Sequence, residues 1–429
     1  MIELSWLDGI RRSFERHGFC SIETPAVEQL EVLLAKGEET DKEIFALARL
    51  GANPADERQA ADRARLGLHY DLTVPFARYV AQHFSELIFP FRRYQIQKVW
   101  RGERPQQGRY REFCQCDIDI INPERLPLEL DAEMPLVVFD ALDPLDVGPF
   151  TVHISNRKLL EGFFQGLGVR ETTIASRIVD KQERIGTEGV AQLLRDQLEL
   201  PVSAVEGALA LSAVVTPDVR AAVSDVETLG VKSPLLDQGL EELLLVAETL
   251  ESVRPGRTVV DLSIARGFDY YTGTVYEGRH QEFPEIGSVC SGGRYDDLAG
   301  AFIRHRLPGV GMSIGLSRLF GKLVAEGRIH GGRQTSADVL VASMDEEDRR
   351  TVHETAAALR GRGVNVEVYH EPTSLRKQLR YASKKGIRWL WLPGFGTDGR
   401  DQVRDMASGE QTDVDLNEWT PPSTRDAPR

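Results

Sequence analysis

Along Glu112–Ile121 the side chains alternate in character. Successive residues of a strand point to opposite faces, so Phe113, Gln115, Asp117 and Asp119 share one face and Cys114, Cys116, Ile118 and Ile120 the other. The second face is apolar, and its cysteines read as small core residues rather than ligands or nucleophiles. The first face is acidic and amide-bearing, with an aromatic ring at one end. Alone, such a face is more often a solvated sheet surface than a binding site. Its neighbours shift the balance: the preceding segment supplies Arg101, Glu103, Arg104, Arg109 and Arg111. Carboxylates and an amide beside clustered guanidinium groups suit a ligand that carries both a cation and phosphates.

Further clusters follow. Arg266-Gly-Phe-Asp-Tyr-Tyr271 sets an arginine beside glycine and paired tyrosines; its plain reading is an aromatic turn with a structural ion pair. In Ser291-Gly-Gly-Arg-Tyr-Asp296 the glycines let backbone approach a ligand closely, although a simple glycine turn explains them as well. Gly311-Met-Ser-Ile-Gly-Leu-Ser-Arg318 has glycines for tight strand–helix packing and an arginine opening a helix. No G-x-x-x-x-G-K-[ST] loop and no G-x-G-x-x-G after a strand occurs, which disfavours the P-loop and Rossmann modes of nucleotide binding.

The elements that must position these residues sit in a chain of 429 residues with net charge −14 and 41% hydrophobic residues, a soluble globular balance. No apolar run approaches the ~18 residues of a membrane span. Asp8, Arg11, Arg12, Glu15 and Arg16 break up any signal-peptide core. Cys20, Cys114, Cys116 and Cys290 form no C-x-x-C, so no protein-only metal site is expected. The expectation is a reduced, cytoplasmic protein with no membrane partner. The acidic total argues against a general polyanion binder, yet two basic islands, at 92–111 and 374–388, suggest two places that meet phosphate. In the second, Arg376, Arg380, Lys384 and Arg388 recur every four residues, a basic stripe along a helix.

Apolar spacing predicts a helix over 4–17, and Phe19–Val27 reads as a strand with Pro25 inside it, hence an edge or interface strand. Residues 51–66 read as an exposed loop or weak helix. Residues 91–101 and 111–121 form a long antiparallel hairpin with an Arg-rich loop. Helical periodicity dominates 172–254, a helical insertion; strand and glycine signals return at 258–277, 287–300 and 309–324. After a polar linker at 331–336, strands at 338–342, 365–369 and 389–392 alternate with helices at 346–360 and 374–385, a small α/β domain with a parallel sheet. The expected division is 1–171, 172–254, 255–330 and 337–419, with 420–429 a disordered tail.

Taken together and in this order, the clusters resemble the class II aminoacyl-tRNA synthetases, specifically the histidyl-tRNA synthetase family. Trp100-Arg-Gly-Glu103 and Arg104-Pro-Gln-Gln-Gly-Arg-Tyr-Arg-Glu-Phe113 look like motif 2. Arg266–Tyr271 and Gly292–Asp296 look like the two histidine-specific signatures. Gly315–Arg318 looks like motif 3, and the helix and strand ending at Pro25 like motif 1. The resemblance implies an α/β fold: an antiparallel-sheet catalytic domain flanked by helices, a helical insertion and a C-terminal α/β anticodon-binding-like domain. It implies ATP-dependent activation of L-histidine, transfer to the 3′ end of tRNA(His), Mg2+ with the ATP, and a homodimer through motif 1.

Residue by residue, it implies that Asp71 and Thr73, in Leu68-His-Tyr-Asp-Leu-Thr-Val-Pro75, bind the histidine α-amino group with Gln115. Asp119 and Tyr271 face the imidazole and Tyr270 lines that pocket. Arg101 and Arg266 are catalytic, holding the α-phosphate and carboxylate. Phe113 stacks on adenine, with Arg318 on its other face or near the γ-phosphate; Glu103 approaches its edge, and Arg109 completes the ATP site. Gln106 and Gln107 meet the tRNA acceptor end; Arg376, Arg380 and Lys384 meet anticodon-stem phosphates. The sequence departs from the family at His69, where many members have Arg, and at Asp71 and Asp119, where many have Glu. A non-catalytic paralogue, such as the synthetase-like regulatory subunit of ATP phosphoribosyltransferase, is the alternative; it would lack the full arginine set and the C-terminal domain. A general RNA-binding module is disfavoured by the charge.

Overall fold

The computed structural model describes residues 2–34, 44–48, 65–102, 110–265, 270–331 and 334–422. They form two compact units, Ile2–Arg328 and Ile329–Arg429.

The larger unit is built on a nine-stranded sheet. In spatial order its strands are Cys20–Ser21, Phe91–Trp100, Glu112–Ile121, Gly309–Ile314, Ser288–Tyr295, Thr274–His280, Phe150–Asn156, Thr258–Asp261 and Val215–Thr216. From Phe91–Trp100 to Phe150–Asn156 every pairing is antiparallel. The hairpin is unbroken from Phe91↔Ile121 to Trp100↔Glu112. One face of the sheet carries Cys116, Ile118, Ile120, Met312 and Ile314, all buried. The helices Ile2–Arg16 and Glu129–Leu142 cover it. In the first helix Trp6, Ile10 and Phe14, at helical spacing, turn inward, and Trp6 meets Phe320 edge-on at 5.5 Å. Residues 172–254 are mainly helical, as their periodicity predicts, and their last helix, Pro234–Val253, packs against Arg157–Gly166. They also contribute the terminal strand Val215–Thr216.

Two readings need correction. Phe19–Val27 is not one strand. Only Cys20–Ser21 pairs, in parallel with Arg93 and Tyr94, and Val27–Gln29 joins a separate small sheet with Leu66–Leu68 and Ala46–Leu47. Pro25 lies between them, since a residue without an N–H cannot continue the ladder. The second concerns Arg294 and the glycines of Ser291–Asp296. Arg294 points to the helix-covered face, where Nε and Nη2 donate to Asp131 at 2.6–3.1 Å and Nη2 reaches the carbonyls of Leu126 and Pro127. A Cβ on Gly292 would stand 2.1 Å from the Gly311 carbonyl, and one on Gly293 2.8 Å from the Tyr271 ring. These glycines make room for protein neighbours.

The smaller unit has a five-stranded sheet in the order Val366–Val368, Val339–Val341, Trp389–Leu392, Asp401–Asp405, Gln411–Val414. The first three are parallel, as expected, with the helices Arg349–Gly361 and Leu375–Lys385 between them in sequence. The last two are antiparallel additions. The expected loop at 51–66 falls almost wholly, and the tail beyond 422 wholly, outside the described residues.

Candidate active site

The register of the sheet sets its uncovered face row by row. Arg93, Asp119 and Gly311 stand in one row; Gln95, Asp117 and Ser313 in the next; Gln97 and Gln115 in the third. The acidic face is not solvated: Gln115, Asp117 and Asp119 are 7%, 3% and 1% exposed. A buried carboxylate demands partners, and Asp119 has them. Arg93 Nη2 lies 2.6 Å from its Oδ2, and the Tyr295 hydroxyl donates to Oδ1 at 2.8 Å. Arg93 is itself wholly buried, stacks 4.4 Å over the Phe76 ring and donates to the Leu72 carbonyl at 3.1 Å. Two glycines make this layer possible. A Cβ on Gly311 would lie 2.1 Å from Asp119 Oδ1, and one on Gly309 2.3 Å from the Tyr295 ring.

The segment before the helix Thr73–Gln82 supplies the facing wall. Asp71, buried, accepts from the Tyr270 hydroxyl at 3.2 Å and the Val74 N–H at 3.3 Å. Thr73 opens that helix. Tyr270 packs edge-on to Tyr271 at 4.8 Å and to Tyr295 at 6.0 Å. Gln115 Nε2 donates to Ser313 Oγ at 2.7 Å. Beside this pocket Arg101 donates from Nε to the Tyr70 carbonyl at 3.1 Å, with its guanidinium 5.1 Å over the Phe113 ring. Ser317 Oγ accepts the Cys114 N–H at 3.0 Å and ties the start of the helix Leu316–Ala325, which carries Arg318, to the strand next to Phe113.

Burial raises all three carboxyls from 3.8. Asp71 goes to about 7, with the charge of Asp117 adding to burial; Asp117 goes to about 6 despite the pull of Arg93; Asp119 goes to about 7 despite Arg93. The Tyr270 and Tyr271 phenols are also raised, by burial and then by neighbouring negative charge and rings. Phenols in this layer therefore stay protonated. The whole pocket favours a cationic, hydrogen-bond-donating guest.

The structure thus gathers Asp71, Gln115, Asp119, Tyr270 and Tyr271, sets Thr73 beside them in the chain, and places Arg101 and Phe113 together at the pocket's edge. Glu103, Gln106, Gln107, Arg109 and Arg266 lie outside the described residues. Just before Arg266, the Ala265 carbonyl accepts from Arg157 Nη1 at 2.8 Å. His69 is turned into the fold: Nε2 is 2.7 Å from the Lys98 carbonyl and the ring lies 5.4 Å from Trp100. The sequence reading assigned no role to Arg93, Tyr295 or Ser313. Strand alternation places Arg93 and Ser313 on faces that can be named, but only the pairing register reveals that these faces coincide.

In the smaller unit Arg376, Lys377, Arg380 and Lys384 are exposed and form no ion pair among the described residues. Lys385 and Arg388 instead pair with Glu367 at 2.8 Å and Asp405 at 2.6 Å. The described residues contain no group of three or more His, Cys, Asp or Glu able to hold a metal ion, and no helix long and apolar enough to cross a membrane.

Residues 6–319 match the family described as histidyl-tRNA synthetase, and residues 338–420 the one described as anticodon binding domain. The histidine–tRNA ligase of Thermobifida fusca (strain YX) is 52% identical over 418 residues, 97% of this chain and 94% of that protein. That of Cutibacterium acnes (strain DSM 16379 / KPA171202) is 46% identical over 421 residues, 96% and 92% of the two chains. The crystal structure of histidyl-tRNA synthetase from Nostoc sp. PCC 7120 superposes with a TM-score of 0.81 at 37% identity, covering 96% of this chain and 93% of that one. An ATP phosphoribosyltransferase regulatory subunit/histidyl-tRNA synthetase from Bacillus halodurans C gives 0.70 at 22% identity over 89% and 92% of the two chains, a likeness of fold alone.

Proposed function

The chain belongs to the histidyl-tRNA synthetase family, and from that premise we propose how its side chains divide the reaction. The enzyme is a class II histidine–tRNA ligase: it activates L-histidine with ATP and transfers the histidyl group to tRNA(His). The observation that carries the assignment of roles is the buried layer of acceptors lying next to an arginine stacked on an aromatic ring.

In this reading Asp71, Thr73 and Gln115 receive the α-ammonium group. Imidazole presents N–H donors, so its pocket needs acceptors; Asp119 supplies a carboxylate, Tyr271 a hydroxyl, and Tyr270 an aromatic wall. Activation is an in-line attack of the histidine carboxylate on the α-phosphorus, with pyrophosphate leaving. Negative charge spreads over the phosphoryl oxygens in the transition state, and fixed guanidinium groups stabilise it electrostatically. Arg101 and Arg266 hold the α-phosphate and carboxylate. The Arg101 donor bond to the Tyr70 carbonyl limits its freedom before substrate arrives. Phe113 stacks on adenine, Glu103 meets its edge, and Arg109 and Arg318 face the outer phosphates. Mg2+ brought in with ATP would supply further positive charge to the leaving pyrophosphate.

The subunit interface is assigned to the region Leu4–Val27. Cys20–Ser21 ends the sheet with its outer edge unpaired among the described strands, and Leu4 and Val27 are exposed. Sedimentation should show a dimer at micromolar concentration; a monomer would overturn that interface. The four cysteines, none in a disulfide, suit the reducing cytoplasm, our assigned compartment.

Pyrophosphate exchange with histidine and each of the other nineteen amino acids tests substrate choice; only histidine should support it. Arg266→Ala should abolish exchange while thermal unfolding stays that of the parent, because a missing guanidinium removes several kcal/mol of transition-state stabilisation. Exchange within tenfold of the parent would remove Arg266 from the catalytic set.

A further inference from the structure

The acceptor layer holds one carboxylate more than the roles above use. Asp117 stands between Gln95 and Ser313 in the sheet, 3% exposed. Its Oδ1 is buried and has no hydrogen-bond partner among the described residues, and the same holds for Gln115 Oε1 on the same strand face. The other two carboxylates are engaged by protein on both oxygens, whereas Asp117 has only the Ser313 hydroxyl. Asp119 has Arg93 on one oxygen and Tyr295 on the other. Asp71 has Val74 N–H on one and Tyr270 on the other. Ser313 orients the free acceptors: by taking Gln115 Nε2 at 2.7 Å it leaves the amide oxygen unused. Asp71 feels the charge of Asp117, and both feel that of Arg101. Two buried acceptors without partners on one strand face call for an explanation, and a donor received between them supplies one.

We propose that Asp117 is a further substrate-contacting residue, receiving the α-ammonium group of histidine together with Asp71 and Gln115 Oε1. The proposal rests on the histidine-pocket reading and extends it. An ammonium group has three N–H donors and one positive charge. Asp117 and Gln115 offer two vacant acceptors, and Asp71 supplies a third oxygen from the facing wall. The charge arithmetic agrees: Arg93 forms its ion pair with Asp119, and Arg93 and Arg101 act on Asp117 only through their charge, so the cation in contact with Asp117 is the substrate's own. Asp119, held by Arg93 and Tyr295, keeps a fixed acceptor for the imidazole. Arg93 is then a positioning residue and Asp117 a binding one.

The test is Asp117→Asn, read by pyrophosphate exchange and by competitive inhibition with two probes. L-histidinol keeps the ammonium and imidazole groups; imidazole-4-propionate keeps the imidazole and carboxylate but lacks the ammonium. The variant should raise the KM for histidine and the Ki for histidinol by about ten- to a hundredfold. It should leave the KM for ATP and the Ki for imidazole-4-propionate within about twofold. Equal weakening of both probes, or of neither, would overturn the proposal. Tyr271→Phe, run beside it, separates the two levels. If that variant weakens both probes while Asp117→Asn discriminates between neither, the pocket stands and the role of Asp117 falls. If Tyr271→Phe leaves both probes unchanged, the pocket assignment falls first. Should Asp117→Asn unfold, Asp117→Ser, smaller and still polar, carries the same comparison.

Discussion

Three aspartates in one buried layer hold more negative charge than Arg93 alone can balance, and the pocket answers by holding protons. Asp71, Asp117 and Asp119 have folded values of about 7, 6 and 7 against 3.8 unfolded. Between those limits the folded state binds more protons than the unfolded one. Their contribution to stability is therefore complete below about pH 4 and is lost as pH rises through about 6 to 7. For Asp117 the difference corresponds to roughly 3 kcal/mol. The unliganded enzyme should thus lose apparent Tm between pH 5 and 8 more steeply than Asp117→Asn, which carries no such proton. Saturating histidinol should restore more stability at pH 8 than at pH 5, because its ammonium group neutralises the ionised form. Parallel pH profiles for parent and variant would show that Asp117 is ionised in the empty pocket. Asp117 also shows where reading residues from sequence runs out. Alternation along 112–121 put it on the polar face, but a face seen on one strand does not reveal whether a neighbouring wall covers it. Here Asp71, Tyr270 and Tyr295 come from segments far apart in the chain, and only tertiary packing turns a solvated-looking surface into a dry one.

Among the elements, the strand Gly309–Ile314 does the most to shape the pocket while contributing few polar groups. Its glycines at 309 and 311 sit where Tyr295 and Asp119 need volume. The sequence reading gave Gly311 to strand–helix packing, since spacing alone does not say which neighbour fills the space. Gly311→Ala should push Asp119 away from Arg93 and Tyr295, because its Cβ would fall 2.1 Å from Oδ1 and 2.8 Å from the Ile118 carbonyl. Such overpacking costs about 1–3 kcal/mol. The expected result is a lower Tm and a KM for histidine raised at least tenfold, with the KM for ATP little changed; unchanged kinetics would mean that Asp119 does not read the imidazole. Elements with a strong period were legible: the long hairpin, the first helix, the helical segment 172–254 and the alternating strands and helices after 338. Elements with a weak period were not. Cys20–Ser21 has only two residues and leaves the sheet at Pro25. Asp401–Asp405 and Gln411–Val414 are polar strands at a sheet edge, held by backbone ladders and pairs such as Gln402 Nε2 to Asp413 at 2.7 Å. Their pattern of burial is too faint to show in composition.

At the scale of the whole molecule, the proposed roles divide between the two units. The residues proposed for histidine activation all lie in Ile2–Arg328, and the smaller unit matches an anticodon-binding family over 338–420. In a chain of net charge −14, the exposed face of the helix Leu375–Lys385 is a local exception. Gln378 and Ala382 face inward, Gln378 hydrogen-bonding the backbone of Ser343 and Thr373, while Arg376, Lys377, Arg380 and Lys384 are exposed. The structure narrows the stripe read from sequence: Lys385 and Arg388 are engaged by Glu367 and Asp405, leaving Arg376, Lys377, Arg380 and Lys384 without acidic partners among the described residues. We assign these four to tRNA phosphates. Phosphate contacts orient RNA without reading its sequence, and each one lost lowers the dependence of binding on salt. Replacing Arg376, Arg380 and Lys384 together with Ala should therefore raise the KM for tRNA(His) at least tenfold in aminoacylation and flatten its salt dependence by two to three phosphate contacts' worth. All three side chains are exposed, so Tm should hold. Exchange of pyrophosphate without tRNA should also hold, because none of the three belongs to the unit that binds histidine and ATP. Charging with an unchanged KM for tRNA would make the stripe a solvated helix face, with the anticodon arm held elsewhere. Loss of exchange along with charging would instead mean that the smaller unit supports activation itself.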